Sequence, residues 1–319
     1  MVEKNYQELY KKYRPRIWEE IIGQDTVVQR LRNIVTTGHV PTGFMFFGTH
    51  GCGKTSAAFI LAKALNCSNL KADGNPCNEC PTCKSIDEHT QIGIRYMSMA
   101  NQGSAEDIRR IVTEAQLKQP IKKQVWILDE CHRLSGAAFD SLLIPLESER
   151  MKTLFIFCST EPDKVPKTIT SRLQICQFLP VNLKTLALHL RDIARKEKLD
   201  VTPEQMITAA RNARGSVRDS IRNLENIISQ GSLAQDFNEK ILHVLVSLRY
   251  TELFKTINEM QASGVDFTNA AQDLYDDLSN TLLIAASRDS SHATQMTQEL
   301  LKSISPTGLI GVISMWGKR

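Results

Sequence analysis

The sequence predicts an α/β domain built on a parallel sheet, followed by regions that are entirely helical. Three observations carry this. Short apolar runs alternate with amphipathic helical segments as far as Phe178, which is the pattern of βαβ units. The first of those runs, Phe44-Met45-Phe46-Phe47, leads directly into Gly48-Thr49-His50-Gly51-Cys52-Gly53-Lys54-Thr55-Ser56, a stretch that fits G-x-x-x-x-G-K-[ST]. After Leu179-Pro180 the apolar period is helical throughout.

Taken in order, residues 1–40 carry Tyr10, Tyr13-Arg14-Pro15, Ile21-Ile22-Gly23-Gln24 and an amphipathic helix reaching about Thr37. Lys11, Lys12, Arg14 and Arg16 interleave with the aromatics; taken alone, that reads better as a solvated face than as a nucleic-acid patch. The strand Phe44–Phe47 is followed by the glycine-rich loop and a helix with Ala57, Ala58, Ile60, Leu61, Ala64 and Leu65 on one face. Glycines in such a loop let the backbone turn its N–H groups inward, and the helix N-terminus adds partial positive charge facing a phosphate. Lys54 then reaches the β- and γ-phosphates of a nucleotide and Thr55 holds Mg²⁺. The chain is expected to bind ATP or a close relative of it.

Arg95–Met99 reads as a second strand. Ser104 with a carboxylate at Asp107 forms a capping box that opens a helix through Gln116. Strand Val125–Leu128 ends in Asp129-Glu130, where Asp129 is suited to help hold Mg²⁺ and Glu130 to orient an attacking water. A helix near Ala137–Glu147, a buried strand Thr153–Cys158 ending in Ser159-Thr160, and a fifth strand Gln174–Phe178 complete the sheet domain. Helices at roughly 182–196, 203–213 and 216–230 follow, and Gly231-Ser232 is the next boundary. Further amphipathic helices run from Leu233 to about Ser303, and Gly308–Trp316 is apolar enough to pack or to meet a partner. The expected domains are therefore 1–180, 181–231 and 232–319.

The 319 residues suffice for two or three domains, and 42% hydrophobic with 23% charged residues is ordinary for a soluble globular chain. A net charge of +4 permits nucleic-acid contact without arguing for it. The polar start Met1-Val2-Glu3-Lys4-Asn5-Tyr6 is unlike a secretory signal, and no run approaches the ~20 apolar residues that span a bilayer. A cytoplasmic protein without membrane contact is expected. Eight cysteines in that setting argue against a disulfide framework. Cys67, Cys77, Cys80 and Cys83 fall in a C-x9-C-x2-C-x2-C spacing suited to a closed, tetrahedral structural Zn²⁺ site. Gly74, Pro76 and Pro81 among them favour turns over helix; the other reading is four free thiols in an irregular loop. Cys52, Cys131, Cys158 and Cys176 are expected to be reduced and partly buried.

Together these motifs resemble the motor subunit of bacterial-type sliding-clamp loaders, the DNA polymerase III gamma/tau family of AAA+ ATPases. The resemblance covers about residues 6–230. Tyr13-Arg14-Pro15, with Ile22-Gly23-Gln24, is similar to the family's opening signature, which borders the adenine pocket. Gly48–Ser56 and Leu128-Asp129-Glu130-Cys131-His132 match its phosphate loop and acidic strand, and the four cysteines sit where its zinc module does. Ser171-Arg172 matches its arginine-finger element, Thr160 falls at its first sensor, and Gly215-Ser216-Val217-Arg218-Asp219 matches its second. Leu173 and Cys131 depart from the family's cysteine and valine, and beyond residue 231 little is recognisable.

The resemblance implies an AAA+ domain with a helical lid and an all-α C-terminal collar. It implies Arg218 on the chain's own γ-phosphate and Arg172 acting in trans on a neighbour's. It also implies other clamp-loader subunits in a homo- or hetero-oligomeric ring (a pentamer), a sliding clamp, and primer–template DNA held through its backbone. Asn101-Gln102-Gly103, with Arg109 and Arg110, resembles the segment facing that DNA; the alternative is a solvated helix face. Two other readings stand beside the motor. A non-hydrolysing stator of the same assembly usually has a broken phosphate loop, whereas Lys54, Thr55, Asp129 and Glu130 are all present. Another AAA+ engine, such as a branch-migration helicase, is disfavoured by the four cysteines after the phosphate-loop helix.

Overall fold

In the computed structural model, residues 8–88, 90–100, 104–117, 119–148 and 153–230 are described, with 255, 258 and 259 as separate helical positions. The expected helices from Leu233 to Ser303, the Gly308–Trp316 segment and Asn101-Gln102-Gly103 lie outside these. The chain divides into two compact units, Met1–Glu225 and Asn226–Arg319.

The first unit opens with a single helical turn, α1 (Leu9–Lys12), and α2 (Asp25–Thr37). There follow β1 (Gly43–Phe47), α3 (Lys54–Asn66), α4 (Pro81–Asp87), β2 (Ile94–Ser98), α5 (Ala105–Gln116) and β3 (Gln124–Asp129). Then come α6 (Gly136–Glu147), β4 (Thr153–Ser159), α7 (Lys167–Thr170) and β5 (Gln174–Gln177). Three longer helices close the described chain: α8 (Leu183–Glu197), α9 (Pro203–Asn212) and α10 (Val217–Gln230). They occupy the segment expected as a lid, 181–231, and all but the end of α10 belongs to the first unit.

The five strands form one parallel sheet in the order β2-β3-β4-β1-β5. Burial on both faces explains why the central strands β1, β3 and β4 read as continuous apolar runs rather than alternating ones. Period two divides each run between two cores. Phe44 and Phe46, Val125 and Ile127, and Leu154, Ile156 and Cys158 pack with Leu31, Ile60 and Leu61 of α2 and α3. Met45, Trp126 and Leu128, and Phe155 and Phe157 pack on the other face with Ile108, Ile111, Phe139 and Leu142 of α5 and α6. The capping box forms as read, Ser104 and Asp107 exchanging side-chain-to-backbone bonds at the start of α5.

One local expectation is corrected. Pro81 does not end regular structure among the cysteines; it begins α4, with the Cys80 sulfur accepting the Cys83 N–H as its cap. Proline is suited to that first helical position, because its missing N–H has no intrahelical partner to lose.

Candidate nucleotide site and cysteine cluster

In a parallel sheet the strand ends carrying the loops lie together on one edge, so β1, β3 and β4 deliver their following residues to the same place. The loop Gly48–Ser56 bridges β1 and α3, and two of its glycines are required by close approaches. A Cβ on Gly48 (φ 150°) would lie 2.1 Å from the Phe178 carbonyl oxygen. One on Gly51 (φ 69°) would lie 2.1 Å from Ser216 Oγ. The loop therefore sits tightly between the sheet and the start of α10. Lys54 is buried, and its Nζ donates to the carbonyls of Gly48 (2.8 Å) and Thr49 (2.7 Å), inside the curve of the loop. Cys52 is buried beside them, its thiol on the Thr49 carbonyl. Gly53 caps α3 without a side-chain bond, which leaves first-turn N–H groups available to an anion. Thr49 and His50 are exposed on the loop, and Ser56 follows on the first turn of the helix.

Thr55 Oγ1 donates to Asp129 Oδ2 at 2.9 Å, joining the loop to the acidic end of β3. Tyr96 on β2 donates its hydroxyl to the same oxygen at 3.0 Å, and the Glu130 N–H occupies Oδ1 at 3.0 Å. Burial, and then the charge of Asp129, push the Tyr96 phenol upward, so it is a donor at neutral pH. Glu130 has a left-handed backbone (φ 52°), uncommon for a residue with a side chain, and pairs with Arg133 at 3.0 Å. His132, nearly buried, links Ser159 Oγ (3.2 Å) to Glu161 (3.4 Å), tying the turn after β3 to the end of β4, where Thr160 follows.

The lid helix reaches this edge through its backbone. The N–H groups of Val217 and Arg218 point to the Gly51 carbonyl, at 3.0 and 3.4 Å. Arg218 lines a cleft of about 480 Å³ together with Arg14, Thr55, Phe59, Tyr96 and Asp129. Arg14 lies over the Phe59 ring, its guanidinium carbon 4.9 Å from the centroid. The opening signature thus divides. Arg14 faces the Thr55–Asp129 end of the site. The Tyr13 hydroxyl meets Glu197 at the end of α8, and burial with that partner pushes its pKa up to about 12. Pro15 and Ile22 are half-buried; next to Ile22, Gly23 rests on Val181, and the Gln24 amide bonds both the N–H and carbonyl of Leu179.

Arg172 stands at the other end of the sheet. It precedes β5, and the following Leu173 packs against the site where a Cβ on Gly43 would sit, at the start of β1. The five residues of β1 then separate it from Gly48, about 16 Å of strand. Its guanidinium is held by Glu147 at the end of α6, with Nε to Oε1 at 2.8 Å.

The four cysteines converge. All the sulfurs of Cys67, Cys77, Cys80 and Cys83 lie within 4.8 Å of one another. Four Zn–S bonds of about 2.3 Å in a tetrahedron require sulfurs roughly 3.8 Å apart, so the set fits Zn²⁺. Backbone N–H groups of Cys77, Cys80 and Cys83 point at neighbouring sulfurs at 3.3–3.4 Å. Although burial raises it, the Cys80 thiol is brought down to about 6, chiefly by N–H groups of Ser68 and Cys83. The cluster is braced by the buried Lys63 of α3, which bonds Asn78 (2.7 Å) and Asp87 (3.0 Å). Trp18 adds its indole N–H on the Gly74 carbonyl. Cys52, Cys131, Cys158 and Cys176 are free and buried.

Sequence reasoning missed Tyr96, Phe59 and Glu147; His132 is read with the acidic strand but given no role. None of the three belongs to a spaced motif; only strand register and helix facing bring them to the site.

Comparison with known proteins relates this chain to subunits of DNA polymerase III. A family model described as DNA polymerase III, delta subunit, matches residues 23–182. The DNA polymerase III subunit gamma/tau of Mycoplasma pneumoniae is 32% identical over 84% of this chain and 41% of its own length. Subunit tau of Bacillus subtilis is 30% identical over 85% of this chain and 50% of its own. Subunit gamma of Buchnera aphidicola (subspecies Baizongia pistaciae) is 30% identical over 78% of this chain and 70% of its own. The chain thus spans about half the length of the first of these relatives or less. Among solved structures, the RuvB Holliday junction branch migration motor of Thermotoga maritima superposes with a TM-score of 0.52 at 18% identity. That match covers 94% of this chain and 91% of the other, and it shows the AAA+ fold alone.

Proposed function

Because the chain belongs to the DNA polymerase III gamma/tau family, we propose that it is the ATP-hydrolysing motor subunit of a sliding-clamp loader. In this reading it opens a ring clamp and places it on primer–template DNA. The observation that carries the reading is the Thr55–Asp129 hydrogen bond, which joins the loop that holds Lys54 to the acidic end of β3, where Glu130 follows. A stator needs no such set.

The roles follow from residue chemistry. The Gly48–Ser56 loop and Lys54 cradle the phosphates, and Thr55 and Asp129 hold Mg²⁺. When bound, Mg²⁺ neutralises charge developing on the β- and γ-phosphates. Glu130 orients the attacking water and takes up its proton. Thr160 and Arg218 sense the γ-phosphate, and Arg218 couples it to the lid because α10 already rests on Gly51. Tyr13, Arg14, Pro15 and Ile22 bound the nucleotide's outer side. Arg172 serves a neighbouring subunit of a ring, since its own loop lies at the far end of the sheet. DNA contacts fall to Arg109 and Arg110 of α5 through phosphates, without sequence readout. The collar function of residues 232–319 belongs to the same proposal. Among the described residues no helix is long and apolar enough to cross a membrane.

The test is ATP turnover with and without the cognate clamp and primed DNA, in the chain assembled with its companion subunits. Stimulation of about 100-fold or more is expected. An assembly whose turnover ignores both clamp and DNA overturns the clamp-loading reading.

The cysteine cluster gives a separate expectation. One Zn²⁺ per chain is expected by elemental analysis of protein prepared without chelator. Cys80→Ser is expected to lower the melting temperature by about 10 °C, and to lower stability more than ATP affinity. Protein lacking stoichiometric zinc at full stability contradicts the assignment.

A further inference from the structure

Asp129 is fixed by more than the phosphate loop. Its Oδ2 accepts from Thr55 Oγ1 at 2.9 Å and from Tyr96 Oη at 3.0 Å, while its Oδ1 accepts from the Glu130 N–H at 3.0 Å. A carboxylate has about four acceptor positions. Three are therefore filled by donors on three different segments: α3, β2 and the turn after β3. Tyr96 reaches Asp129 from the adjacent strand, where it pairs with Ile127, and its ring rests on Phe59 of α3 with centroids 5.6 Å apart. The ring contact alone would account for an aromatic side chain here. It does not account for the hydroxyl, which is aimed at the one carboxylate oxygen that Thr55 also touches.

We propose that Tyr96 is a positioning residue for the metal half of the site, holding the Asp129 carboxylate in the orientation that receives Mg²⁺ with the nucleotide. This rests on the reading of Thr55 and Asp129 as the metal side of an ATP site. Thr55 can turn a lone pair to a metal and still donate its proton to Asp129. That leaves Tyr96 as the donor whose only task at Oδ2 is orientation. Outer-shell partners of metal ligands typically change metal affinity by about 10- to 100-fold when removed. The lower end is expected here, because Thr55 and the Glu130 N–H remain.

The experiment measures binding of a non-hydrolysable ATP analogue to the full chain, in Mg²⁺ and in EDTA, for the unaltered protein and for Tyr96→Phe. The substitution removes the hydroxyl and keeps the ring on Phe59. The gain in affinity contributed by Mg²⁺ is expected to shrink about tenfold, with affinity in EDTA and the melting temperature unchanged. Titration with Mn²⁺ followed by electron paramagnetic resonance is expected to give the same factor without nucleotide hydrolysis. In an Asp129→Asn background, Tyr96→Phe is expected to add nothing, since the carboxylate it orients is gone. An undiminished Mg²⁺ increment in Tyr96→Phe overturns the inference. So does an equal loss in Mg²⁺ and EDTA, which would make the residue a packing element, or a full additive loss in the Asp129→Asn background. If the unaltered chain binds the analogue equally well with and without Mg²⁺, the metal reading itself fails and the inference falls with it.

Discussion

Lys54→Ala chains are expected to lose ATP affinity by about 100-fold, whereas Glu130→Gln chains bind ATP normally and hydrolyse it at least about 100-fold more slowly. The two residues lie at one edge of the sheet but, under the proposed function, serve different steps. Lys54 is buried with its ammonium inside the loop, on the Gly48 and Thr49 carbonyls. It is therefore preorganised to meet phosphate oxygens, and each charged hydrogen bond it forms is worth about 1.5–3 kcal/mol. Glu130 touches neither the loop nor Lys54. Its carboxylate is paired with Arg133 at the surface, and only its backbone N–H engages Asp129. Removing its charge leaves binding intact and takes away the group that polarises water. Equilibrium nucleotide binding and single-turnover hydrolysis, measured on both variants in the assembled complex, separate the roles. Normal hydrolysis by Glu130→Gln would show that another residue activates the water.

The second large effect concerns Arg172. Arg172→Ala is expected to leave nucleotide affinity of the single chain unaltered and to reduce turnover in the assembly by about 10³-fold or more, the range of an arginine finger supplied in trans. The reason is geometric. The strand length of β1 stands between Arg172 and the chain's own loop, and Glu147 holds the guanidinium where a neighbour's nucleotide would have to come to it. Arg172→Lys is expected to recover little, because an ammonium cannot fork onto two phosphate oxygens as a guanidinium does. A single chain that hydrolyses ATP at the assembled rate contradicts this.

Much of the sheet domain was legible because its determinants are local. Gly48–Ser56, the β3 carboxylates and the Ser104 cap each combine residue type with spacing, and the buried strands announce themselves as apolar runs. The cysteine quartet was legible for the same reason. What was missed depends on long-range placement. Tyr96 is an ordinary strand residue until the register Tyr96↔Ile127 sets it beside Asp129. The hold of Glu147 on Arg172 joins residues 25 apart at opposite ends of the α6-to-α7 excursion. The seating of α10 on the Gly51 carbonyl accompanies long-range bonds to the connecting stretch Leu179–Val181, from the Gln24 amide to Leu179 and from the Val181 N–H to the Gly215 carbonyl. Helix α4 was hidden by reading Pro81 as a breaker when its position made it a starter.

The central claim is that this chain hydrolyses ATP in sites shared between neighbouring subunits. It is tested most directly by mixing Lys54→Ala chains with Arg172→Ala chains and measuring turnover with clamp and primed DNA. Each variant alone is expected to be nearly inactive. Mixtures shown to co-assemble are expected to recover activity, because some sites then pair an intact Lys54 with a neighbour's intact Arg172. Co-assembled mixtures that stay as inactive as either variant alone would contradict the claim.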